Sequence, residues 1–94
     1  DLARARESGT ALVDSQLAAC VNLLPGVTSI YTWQGATEHA EEVLAVFKTT
    51  REAWPRFQEK LRSLHPYDVP EIIALRPEDV SAPYAQWVRD SVRP

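Results

Sequence analysis

One thiol, two imidazoles and thirteen carboxylates are the groups this sequence offers for metal or nucleophilic chemistry. Cys20 stands in the apolar run Cys20-Val21-Asn22-Leu23-Leu24, where a thiol reads as a small, inert hydrophobe. His39 and His65 lie far apart in sequence, and neither belongs to an H-x-x-x-H or C-x-x-C spacing. A closed zinc site needs four ligands, so no preformed structural metal site is expected within one chain. Several copies could still share an ion. His65 and Cys20, joined by carboxylates such as Glu42 or Glu71, would give the mixed N, O and S donors that copper and zinc accept. No nucleophile-base pair and no set of paired carboxylates is visible, so catalysis is not expected. Gly9, Gly26 and Gly35 are isolated and make no phosphate cradle.

Other side chains suggest binding rather than reaction. Trp33, close to Tyr31 and to a turn, is hard to bury within one subunit and reads as an interface anchor. Lys48 lies in an otherwise apolar strand, where an ammonium needs a partner. Glu42 or Glu71 would serve, as would a small anionic ligand. In His65-Pro66-Tyr67 the proline and rings lock a turn, with the imidazole capping helix carbonyls, or form one wall of a cleft. Tyr84 and Trp87 read most simply as core.

The elements that must position these residues follow from periodicity. Apolar residues from Leu2 to Ala19 trace a helical stripe with a weak joint at Gly9. Residues 20–33 predict one long strand bulged at Pro25-Gly26, and Gln34-Gly35-Ala36-Thr37 signals a turn. The run from Glu42 to Thr49 is the returning arm of a hairpin, its apolar half covered on both faces. Thr49 and Glu52 have capping-box spacing, which starts a second helix near Arg51 or Glu52 and buries Trp54, Phe57, Leu61 and Leu64. Two prolines make residues 65–70 a rigid connection, and Glu71–Leu75 reads as a short buried strand. Ser81 is the N-cap of a last helix with Pro83 in its first turn. The order is α+β, with helices on one face of a largely antiparallel sheet. One further strand before Asp1 would complete the βαββαβ order of a ferredoxin-like fold with a trailing C-terminal helix.

Size and charge bound the function. Ninety-four residues with 45% hydrophobic content make a single domain over 1–94, small enough to gain from self-association. The net charge is -3 and the basic residues are scattered, which excludes a nucleic-acid surface. The densest basic stretch, Arg51 to Arg62, is the solvated face of a helix. No apolar run is long enough for a membrane span. A single cysteine allows no intrachain disulfide, and with no leader pattern a cytoplasmic setting is expected.

Ordered blocks then carry a resemblance. Leu17-Ala18-Ala19-Cys20-Val21-Asn22-Leu23-Leu24-Pro25-Gly26-Val27-Thr28-Ser29-Ile30-Tyr31-Thr32-Trp33-Gln34-Gly35 resembles the signature of the CutA divalent-cation tolerance family. Lys48-Thr49-Thr50, His65-Pro66-Tyr67-Asp68-Val69-Pro70-Glu71, Ala74-Leu75 and Tyr84-Ala85-Gln86-Trp87 resemble its later blocks, in order. The resemblance implies a ferredoxin-like subunit in a homotrimer of PII-like architecture, with no obligatory cofactor and no established catalysis. It also implies a link to copper and other divalent cations, with Cys20 and His65 as the first ligands to suspect. Clefts between subunits, lined by Trp33, Lys48, Tyr67 and Glu71, are the alternative site, for a small molecule as in PII signalling proteins.

Overall fold

The computed structural model describes residues 1–65 and 69–93. Their order is α1 (Leu2–Asp14), β1 (Cys20–Trp33), β2 (Ala36–Lys48), α2 (Trp54–Leu64) and α3 (Ala82–Ser91).

α1 opens on Asp1, whose carboxylate accepts the Arg4 N–H at 2.9 Å. It ends earlier than the apolar stripe predicts, and hydrogen bonding explains why. The Leu17 N–H donates to the Leu12 carbonyl and the Gln16 N–H to the Val13 carbonyl, while Gln16 takes a left-handed φ of 60°. That is the Schellman arrangement, which satisfies the last carbonyls and turns the chain out. Leu17 then folds back on the cluster containing Leu12.

β1 and β2 form an antiparallel hairpin in which Cys20 faces Lys48 and Trp33 faces Ala36. Fourteen residues of β1 at roughly 3.3 Å each make a long arm, and the longest dimension of the molecule is 45 Å. The register shifts between Leu24 and Val27, the bulge expected at Pro25-Gly26. Gln34 and Gly35 have φ of 50° and 82°, the two positive values that a tight hairpin turn requires. β2 begins at Ala36, six residues before the expected arm. Glu38, His39, Glu41 and Glu42 are weak strand formers, but each has a β1 partner, in Tyr31, Ile30, Thr28 and Val27 respectively. Cross-strand pairing overrides their propensity.

α1 and α2 pack on one face of the hairpin base. Leu12, Ala18 and Phe57 are buried there, with Phe47, Trp54, Leu61 and Leu64 against them. Phe57 meets the Phe47 ring edge-on at 4.9 Å and stacks on Trp54 at 5.8 Å. The expected apolar face of α2 is therefore present, and Arg51, Arg56, Lys60 and Arg62 lie on the solvated side. The helix starts at Trp54 rather than near Arg51. Thr49 donates its hydroxyl to the Leu17 carbonyl, and Thr50 accepts the Ala53 N–H instead.

Two expectations about burial are corrected. The apolar half of β2 is covered on one face only: Leu44 and Val46 point away from the helices and stay exposed. Residues 71–75 form no strand. Among the described residues they have no ladder partner, and Ile73 and Leu75 are 70% and 86% exposed. Local preference can extend a chain, but a strand exists only when a neighbour pairs with its N–H and C=O groups.

Candidate functional site

Alternation along the hairpin sorts its side chains into two faces. Val21, Leu23, Ala45 and Phe47 face the helices. Cys20, Asn22, Leu24, Leu44, Val46 and Lys48 face the other way, because directly opposed residues share a face. Past the bulge, Val27 with Glu42, Ser29 with Ala40, Tyr31 with Glu38 and Trp33 with Ala36 continue that open face. The bulge is what keeps the face continuous. It sets two residues, Pro25 and Gly26, against Val43 alone and so shifts the parity of β1 by one.

Five of the expected site residues, Cys20, Tyr31, Trp33, Glu42 and Lys48, thus lie on one face. Tyr31 and Trp33 remain 43% and 44% exposed at its far end. The partner of Lys48 is neither Glu42 nor Glu71. Its ammonium donates to the Asn22 side-chain carbonyl, a diagonal neighbour on the same face. Sequence reasoning misses Asn22 because it stands inside an apolar run; its parity with Cys20 and Leu24 is the available signal.

α3 sits at the base of the hairpin, and its Tyr84 reaches the open face. Val88 and Val92 pack on Ala19 and Ala53, and the Tyr84 hydroxyl lies 3.6 Å from the Cys20 sulfur. Tyr84 and Trp87 are not core: both are exposed, with ring centres 5.6 Å apart. A helix resting on its Val88 and Val92 side leaves the ring-bearing stripe outside. The hydrogen bond with Cys20 raises the Tyr84 phenol above its ordinary 10.0, with burial and the thiolate charge adding to it.

The expected metal ligands do not converge within one chain. Glu42 is six residues along β2 from Lys48, the cross-strand partner of Cys20, which is about 20 Å at 3.3 Å per residue. His65 is the C-cap of α2, its N–H donating to the Leu61 carbonyl. Ala53, packed against Ala19 beside Cys20, caps the other end of that helix, about 18 Å away at 1.5 Å per residue. Glu71 is exposed in the segment after α2, and Tyr67 lies outside the described residues. Among the described residues, no group of three or more His, Cys, Asp or Glu could hold a metal ion.

α1 and α2 over one face of a long bulged hairpin, with most of the other face apolar and open, define an α+β domain of the ferredoxin-like class. A family model described as CutA1 divalent ion tolerance protein matches residues 1–91, and the chain belongs to that family. The chain is 47% identical over 87 residues to the divalent-cation tolerance protein CutA of Thermus thermophilus, covering 93% of this chain and 84% of that protein. It is 49% identical over 85 residues to human protein CutA, covering 90% of this chain but only 48% of the human protein. The chain therefore spans about half the length of that relative. Among solved structures, the Cut A1 protein of Thermus thermophilus superposes with a TM-score of 0.95 at 44% identity, over 99% of this chain and 90% of that one. CutA from Xylella fastidiosa gives 0.94 at 35% identity, over 99% and 89%.

Proposed function

We propose that this protein serves tolerance to divalent metal ions as a homotrimer, with copper or another divalent cation held weakly between subunits. The observation that carries the reading is the open face of the hairpin, where Leu24, Leu44 and Val46 lead toward Tyr31 and Trp33, all exposed. An apolar stripe of this kind on a small domain is covered by a partner, and identical chains cover each other in closed, symmetric assemblies. The number three comes from the resemblance to the CutA family. The relatives' names support the role in metal tolerance.

Because no three of Cys20, His65, Glu42 and Glu71 gather within one chain, an ion bound by them is shared between copies. The reading is of a non-catalytic protein. A free Cys20 thiol fits a reducing, cytoplasmic setting, and no helix among the described residues is long and apolar enough to cross a membrane. Family members named as chloroplastic in Arabidopsis thaliana and periplasmic in Archaeoglobus fulgidus work elsewhere. The alternative, a PII-like cleft holding a small anion at Lys48, is less well supported, since that ammonium already donates to Asn22.

Calorimetric titration with copper and with zinc, read beside the mass in solution, tests the proposal. Saturable binding at one or three ions per trimer, weakened by Cys20→Ser or His65→Ala with the trimer intact, is the expected result. A trimer that binds neither ion moves the function to the cleft, and a monomeric mass at micromolar concentration overturns the assembly.

A further inference from the structure

Arg56 on α2 and Arg93 just after α3 are 37 residues apart in sequence, and the fold brings them together. The Arg56 guanidinium donates to the Arg93 carbonyl at 2.7 Å, and the Arg93 guanidinium donates to Gln16 Oε1 at 2.9 Å. The Arg93 N–H donates to the Gln16 carbonyl at 2.8 Å. Lys60 follows Arg56 by one helical turn. At about 100° per residue the two stand roughly 40° apart around α2, neighbours on its exposed side. Basic residues that read as scattered along the chain thus form one cluster, on the solvated side of α2 rather than on the open face of the hairpin.

The charge of this cluster is not compensated. Both guanidiniums are held by neutral oxygens, and among the described residues no carboxylate pairs with Arg56, Lys60 or Arg93. Glu59 lies about 60° beyond Arg56 on the side away from Lys60, and Asp90 of α3 accepts from Gln86 instead. The whole chain carries -3, so three uncompensated cations here reverse the sign locally. The bonds to neutral oxygens also hold the two guanidiniums in place. Less side-chain freedom is then lost when an anion docks, and most N–H donors of each fork stay available to it.

We propose that Arg56, Lys60 and Arg93 form a docking surface for an acidic segment of a partner protein. Charge complementarity selects the occupant, because forked guanidiniums pair bidentately with carboxylates. The convex outside of a helix selects its form, since small molecules are held in concave sites whereas a peptide can lie along a ridge. Self-association through the open face of the hairpin leaves this side of α2 outside, so one chain and a closed assembly present the same surface.

Fluorescence anisotropy of dye-labelled hexaglutamate, with hexaglutamine carrying the same dye as reference, tests this on the whole protein. Hexaglutamate is expected to bind saturably at low ionic strength, and hexaglutamine not to bind. Raising sodium chloride from about 20 mM to about 200 mM should weaken binding about fivefold or more, because exposed charges are screened. Lys60→Gln, which removes no side-chain hydrogen bond, should weaken it about threefold and Arg56→Gln about fivefold, with circular dichroism and mass in solution unchanged. Arg4→Gln makes the same change of charge at the far end of α1 and should stay within about 1.5-fold of the parent. Equal losses in Arg4→Gln and Arg56→Gln overturn a defined surface in favour of diffuse attraction. Absence of binding at about 20 mM salt overturns the surface altogether. Displacement by inorganic phosphate beyond that by sodium chloride of the same ionic strength overturns the acidic segment in favour of a phosphate group. None of these variants touches the open face, so failure here leaves the proposed assembly as it stands.

Discussion

A β-carbon on Gly9 would stand 3.0 Å from Cγ1 of Val21, so the absence of a side chain at Gly9 is what lets α1 lie against β1 at this distance. The residue that reads as a weak joint in the helix is a point of close packing. Val21 is β-branched and stiff at χ1, which limits how far its methyl can give. Gly9→Ala is expected to forfeit the roughly 1 kcal/mol that alanine gains over glycine in a helix and to end about 1 kcal/mol less stable in urea unfolding. Combined with Val21→Ala, the same change should become favourable. A double-mutant cycle is expected to give a coupling of about 2 kcal/mol, and additivity would show that the two residues do not limit each other.

Leu24 and Leu44 face each other on the open side of the hairpin at the edge of the bulge. A charge there would be solvated in a lone chain but desolvated in an assembly that covers the face. Leu44→Asp is therefore expected to lower the mass in solution toward the 10.6 kDa of one chain while the far-ultraviolet circular dichroism is kept. Glu59→Lys, on the exposed side of α2, is expected to leave the mass unchanged.

Tyr84 makes a prediction about alkaline pH. Its folded pKa is raised above 10.0, so the folded state holds the phenolic proton more tightly than the unfolded state. The contribution to stability is fully present below the unfolded value and is lost as pH rises through the folded one. Absorbance titration at tyrosinate wavelengths, in a Tyr31→Phe, Tyr67→Phe background, should show Tyr84 ionising above its ordinary range. Cys20→Ala removes the first cause of the shift and should move the midpoint back down.

Gly35 holds a φ of 82° with open space where a β-carbon would stand, so backbone strain alone decides what a side chain costs there. Gly35→Ala is expected to cost about 1 to 2 kcal/mol. Gln34, also left-handed at 50°, should gain a few tenths of a kcal/mol as Asn, which tolerates that region better. Thermal unfolding of the two variants should therefore shift in opposite directions.

Much of the fold is legible from local chemistry. Pro25-Gly26 marks the bulge, Gln34-Gly35 the turn, and Pro55 and Pro83 the first turns of α2 and α3, because these residues restrict or free the backbone where they stand. Apolar spacing locates the α2 face for the same reason. The far boundaries are less legible. α1 stops at Asp14 because Gln16 accepts a left-handed conformation, and β2 starts at Ala36 because β1 is there to pair with it. Neither fact is visible in the helix stripe or in the strand formers alone.

The sequence by itself determined the family, the order of the three helices and the hairpin, and the kinds of group available for binding, since these depend on residue identity and spacing. Tertiary structure decided which groups meet. Register and the parity shift at the bulge put Cys20, Lys48, Tyr31 and Trp33 on one open face and gave Lys48 its Asn22. Helix length and strand rise kept His65 and Glu42 far from Cys20. The seating of α3 on two alanines left Tyr84 and Trp87 exposed, and residues 71–75 found no strand to join among the described residues. Periodicity specifies which side of an element is apolar, but contact between distant residues is set by how the elements pack, and that is fixed only when the chain has folded.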